Sequence, residues 1–75
     1  MPKTNVDLVA VQYRKFNDFV RGELNRQNYT MSNLADYLGL SYSSISYKLS
    51  GKVDWSLKEA LATLEFLNAE GSDFL

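Results

Sequence analysis

Apolar residues recur through the first third of the chain at the spacing of one helix face. Val9, Tyr13, Phe16, Val20 and Leu24 follow at intervals of three and four, and Phe19 widens the stripe. Arg14, Lys15, Asp18, Arg21 and Glu23 fall mostly off it, as solvent-facing residues do, and Arg14 and Asp18 are spaced to pair. The pattern predicts a helix ending at 26–28. Its start admits two readings. Thr4 followed by Asp7 resembles a capping box, whereas the β-branched Val6, Val9 and Val11 also suit an extended arm.

Three further segments each open with a capping residue. Thr30 precedes a helix over 31–38, which Gly39 stops by taking a left-handed backbone. Ser41 precedes a second over 42–49, ended by Gly51. Ser56, with Glu59 three positions on, is a full capping box before a third run, in which Leu57, Leu61, Leu64 and Leu67 or Phe66 form one face. Trp55 stands where a hydrophobic staple or core anchor belongs. The fold class expected is all-α, with four or five short helices in a single domain over 1–75.

Composition narrows the chemistry more by absence than by presence. The 75 residues contain no cysteine and no histidine, which removes disulfides, thiol nucleophiles, thiolate zinc sites and the commonest general base. No metal, no cofactor and no enzymatic activity are expected, and nothing cradles a small-molecule ligand. The longest apolar run spans Leu8 to Val11, far below the ~20 residues that cross a bilayer, and nothing behind Lys3 reads as a signal peptide. A soluble protein of a reducing cytoplasm is expected, without a membrane partner. Net charge is −1, but it is segregated. From Tyr37 to Val53 there is no acid, while Lys48 and Lys52 lie within; from Asp54 onward five acids face one base, Lys58.

The segment 30–52, TMSNLADYLGLSYSSISYKLSGK, carries the most information. Two helices separated only by Gly39-Leu40-Ser41 must cross steeply. Such a crossing needs a small residue at Ala35, a positive φ at Gly39, and apolar filling from Leu34, Leu38, Leu40 and Ile45. The segment resembles the helix-turn-helix of the Cro and CI repressors of temperate phages and their related small bacterial regulators, the lambda-repressor-like family. The likeness is close over these 23 residues and looser through 54–67, and the first apolar helix matches the family's first.

What the resemblance implies is a helix at 42–49 lying in the DNA major groove. Tyr42, Ser43 and Ser44 would occupy its first turn, with Ser46 and Tyr47 one turn on, while Ile45 and Leu49 turn to the core. Serine hydroxyls can meet base edges or phosphates, and a tyrosine ring can meet thymine methyls. Lys48 and Lys52 would hold phosphates, and Ser50 matches a position where the family often has a phosphate-contacting polar residue. Two departures stand out. Met31 occupies a position commonly held by glutamine, and the recognition helix has neither Arg nor Asn for a bidentate base contact. Salt dependence should therefore be modest unless Arg14, Lys15, Arg21 or Lys3 add contacts.

The function expected is sequence-specific binding of a double-stranded DNA operator, most simply as a repressor that occludes polymerase. Family members usually bind as two-fold dimers, so a homodimer is expected. Its first candidate surface is the last apolar helix with Phe74 and Leu75; the second is the arm from Val6 to Val11. The alternative function is a protein-interaction module of antirepressor or inhibitor type that keeps the fold without binding DNA, a reading motivated by the acidic balance.

Overall fold

The computed structural model describes the backbone of residues 2–69 and the side chains of residues 12–69. Four α-helices, and no strand, form among the described residues: α1 (Pro2–Arg26), α2 (Met31–Leu38), α3 (Tyr42–Leu49) and α4 (Leu57–Leu67). The backbone is helical from Pro2, which decides the start of α1 against an extended arm. Phe74, Leu75 and the side chains of Val6, Val9 and Val11 lie outside the described residues.

α2 and α3 have eight residues each, too short to hold a helix alone, so caps and packing must stabilise them. Thr30 Oγ1 accepts the Asn33 N–H at 3.1 Å and Asn33 Oδ1 accepts the Thr30 N–H at 2.8 Å, a reciprocal box with Asn in place of Glu. Ser56 and Glu59 close the same box on α4, at 3.1 and 3.0 Å. Each such cap contributes about 1 kcal/mol. Beyond the helix ends, Asn28 after α1 and Asn68 after α4 take left-handed backbones, φ 63° and 56°, in the role glycine usually fills.

The core forms where the four helices meet. Phe16, Val20 and Leu24 come from α1, Leu34 and Ala35 from α2, Ile45 and Leu49 from α3, and Leu64 and Leu67 from α4, with Trp55 inserted from the α3–α4 turn. Tyr13, Phe19 and Met31 pack partly buried around it. Leu34 and Ile45 are fully buried, each worth about 1.5–3 kcal/mol relative to exposure. Trp55 meets Phe16 edge-on at 5.4 Å between ring centroids, and its indole N–H donates to Asn17 Oδ1 at 2.7 Å. Among the described residues, every buried side-chain polar atom has a partner.

Two expectations from periodicity are corrected. Leu57 and Leu61 stay 76% and 57% exposed, so the buried face of α4 is turned away from them and runs through Ala60, Thr63, Leu64 and Leu67. Thr63 can line the core because its hydroxyl donates to the Glu59 carbonyl at 2.8 Å, one turn back. Arg14 and Asp18 form no ion pair; Glu23 instead binds Arg26 at 2.6 Å. Gln27 joins that pair to α4, donating to Glu23 Oε1 and to the Leu67 carbonyl, both at 3.0 Å.

Candidate nucleic-acid interface

The turn between α2 and α3 is built from its backbone. Gly39 sits at φ 72°, ψ 28°, and its N–H donates to the Asp36 carbonyl at 3.3 Å while the Leu40 N–H reaches the Ala35 carbonyl at 2.9 Å. A Cβ at Gly39 would touch nothing, so glycine is required there by the left-handed φ and not by space. Ala35 is buried, as the adjoining helix demands, and Leu38 and Leu40 fill the corner half-buried.

α3 begins at Ser41, whose Oγ accepts the Ser44 N–H at 3.1 Å and donates to Ser44 Oγ at 3.0 Å. Ser44 is thereby engaged in the cap and half-buried. Ile45 and Leu49 face the core. The opposite arc holds Tyr42, Ser46, Ser43 and Tyr47, which at the helical turn angle span about 140° of the surface. Tyr42 and Tyr47 are 53% and 49% exposed, Ser43 is exposed and Ser46 half-buried. The structure brings these four together on a single uncharged surface of hydroxyls and rings.

Lys48 does not join them. It is 8% exposed, with Nζ 2.9 Å from Glu59 Oε1, donating to the Asp54 carbonyl at 3.1 Å, and 5.9 Å from the Trp55 ring centroid. Its placement as an outward phosphate contact is therefore corrected: the ammonium ties the last turn of α3 to the start of α4. Glu59 Oε1 also accepts the Ser56 N–H, and that bond, aided by Lys48, holds its carboxyl below the ordinary range.

At the far end of α3, Ser50 is exposed and its hydroxyl donates to the Tyr47 carbonyl at 3.0 Å. Lys52 is exposed, its Nζ standing 5.5 Å from the Tyr47 ring centroid. One of the cations named outside 30–52 reaches the end of this helix. Arg21, on α1, donates from Nη2 to the Leu49 carbonyl at 2.6 Å. The contact crosses 28 positions, so its only sequence signal was a cation off the apolar stripe.

A second feature lies between α2 and α4, a cleft of about 370 Å³ lined by Tyr37, Leu38, Ser56, Lys58, Glu59 and Ala62. Nearby, Phe66 contacts Tyr29 and Tyr37 at ring separations of 4.7 and 5.0 Å. Tyr37 donates its hydroxyl to Glu65 at 3.1 Å, and the bond to that carboxylate raises the phenol's pKa. Among the described residues no helix is long and apolar enough to cross a membrane, and no cluster of acidic side chains is arranged to hold a metal ion. Compared with known proteins, the chain matches no family model, no curated protein and no solved structure.

Proposed function

We propose that this chain is a lambda-repressor-like helix-turn-helix protein that binds duplex DNA with α3 in the major groove, as a small cytoplasmic transcriptional regulator acting by occlusion. One observation carries the reading: Tyr42, Ser43 and Tyr47, with the half-buried Ser46 between them, form an arc open to solvent while the other face of the same short helix is buried. A helix held that way, after a three-residue turn, can enter a groove without unfolding anything. Lys52 and Ser50 lie where the helix leaves the groove, beside the phosphates. A second copy, paired through the exposed Leu57 and Leu61 of α4, would complete a two-fold site.

A protein-interaction module is the second reading, and the burial of Lys48 favours it, because the outer arc of α3 then carries no cation. Fluorescence-anisotropy titration of a mixed-sequence duplex at low and moderate salt decides between them. Salt-sensitive binding is expected. Absence of binding even at the lowest salt eliminates the DNA reading and leaves the protein-interaction module.

A further inference from the structure

We infer that Arg21 is a phosphate-binding residue, reaching from α1 to the end of α3 to take, with Lys52, the backbone of the duplex that receives the helix. The inference rests on the duplex-binding reading above and adds to it a ligand group and the residue that meets it.

The Leu49 carbonyl belongs to the last residue of α3, one of the acceptors that a helix leaves without an internal partner. The N–H groups that follow do not serve it: those of Ser50, Gly51 and Lys52 go to the carbonyls of Ser46, Lys48 and Tyr47. Arg21 supplies the missing donor at 2.6 Å, and a cation at this end also complements the helix dipole. The bond fixes where the guanidinium sits. It uses one of the five N–H donors of the planar fork, and a neutral carbonyl leaves the delocalised positive charge in place.

Among the described residues no carboxylate neutralises that charge. The ion pairs of the described residues are Glu23 with Arg26 and Glu59 with Lys48, and Arg21 has neither acid as a partner. The residue is exposed. Three positions beyond Leu49 stands Lys52, likewise exposed and without a carboxylate partner among the described residues. Two unneutralised cations therefore flank the last turn of a helix whose outer arc is neutral, and whose own lysine is committed to Glu59. A phosphodiester suits this pair, because a guanidinium fork binds phosphate oxygens in a fixed plane while the helix arc meets the bases.

A helix cap and a phosphate contact make different predictions, and the salt dependence of binding separates them. Each phosphate neutralised contributes about 0.9 to the slope of log K against log salt. Affinity for a mixed-sequence duplex of about two helical turns is measured across a salt series for the unaltered protein, Arg21→Gln and Arg21→Lys, with far-UV circular dichroism on each. The slope should shrink by about 0.9 in Arg21→Gln and be kept in Arg21→Lys. An unchanged slope in Arg21→Gln overturns the inference, leaving Arg21 a cap alone, while duplex binding itself stands. If the unaltered protein binds no duplex, the functional reading fails and this inference falls with it. Should Arg21→Gln not fold, the Arg21 Nε–Hε resonance of the unaltered protein decides the matter: movement on adding the duplex supports the contact, and no movement overturns it.

Discussion

Lys48 and Glu59 meet at 2.9 Å across the α3–α4 turn, and the oxygen that receives the ammonium also accepts the Ser56 N–H that caps α4. One carboxylate thus fixes the end of one helix and the start of the next. Replacing Lys48 by Met keeps the aliphatic stem but removes the ammonium from the Asp54 carbonyl, from the Trp55 ring and from Glu59, which keeps only the Ser56 N–H. The expected loss is about 1–3 kcal/mol in urea unfolding. The salt slope of DNA binding should stay where it was, because the ammonium faces inward. A reduced slope would mean that Lys48 does reach phosphate.

The same carboxylate makes stability depend on acid. Hydrogen bonds from Ser56 and Lys48 depress its pKa below the ordinary 4.5, so the ionised form is favoured in the folded state. A depressed carboxyl contributes stability that is complete above its unfolded pKa and is lost as the pH falls through its folded pKa. Unfolding free energy should therefore decline as the medium is acidified below 4.5, and Glu59→Gln should flatten part of that decline. The remainder belongs partly to Glu23, which Arg26 and Gln27 depress in the same direction. Denaturation at neutral pH and at about pH 3 measures both; an acid limb identical in Glu59→Gln and the unaltered protein would refute the assignment.

What could be read from the chain was local. The caps at Thr30, Ser41 and Ser56 and the stop at Gly39 are each decided within four residues, and each forms as expected. The stripe of α1 was legible because one set of apolar positions dominates it. α4 was harder. Leu57-Leu61-Leu64 and Ala60-Thr63-Leu64-Leu67 both fit a helical period, and burial chose the second. Lys48 was misjudged for another reason, and the partner of the exposed Arg21 was out of reach for the same one. Lys48 turns inward on account of Asp54, Trp55 and Glu59, and Arg21 turns toward a carbonyl 28 positions away. Neither partner leaves a trace at the spacing a helical pattern reports.

The two faces of α4 predict opposite costs. Leu64→Ala removes buried atoms and should cost about 2–5 kcal/mol, measured by thermal or urea unfolding. Leu57→Ser and Leu61→Ser act on exposed positions and should stay within about 0.5 kcal/mol for the monomer. If α4 also pairs two copies, the double variant should sediment as a monomer at concentrations where the unaltered chain does not. A double variant that unfolds like Leu64→Ala would place these leucines in the core after all.

On the proposed DNA-binding reading, base recognition by α3 would have to work without charge. Of its outward residues, Ser43 and Ser46 can each offer a single hydroxyl contact, which fits more than one base edge and discriminates poorly. Tyr42 and Tyr47 offer something more selective: half-exposed rings, the second with Lys52 over it. In the major groove the apolar group such a ring can meet is the thymine methyl. Duplexes selected from a random library should therefore be enriched in thymine at positions under the two rings. Replacing those thymines by deoxyuridine, which lacks only the methyl, should weaken binding several-fold while leaving the salt slope unchanged, since phosphate contacts are untouched. Tyr42→Ser and Tyr47→Ser should each erase the difference between thymine and deoxyuridine at its own position. Equal affinity for the two bases in the unaltered protein would show that the rings do not read methyl groups, and would leave the serine hydroxyls as the source of any preference.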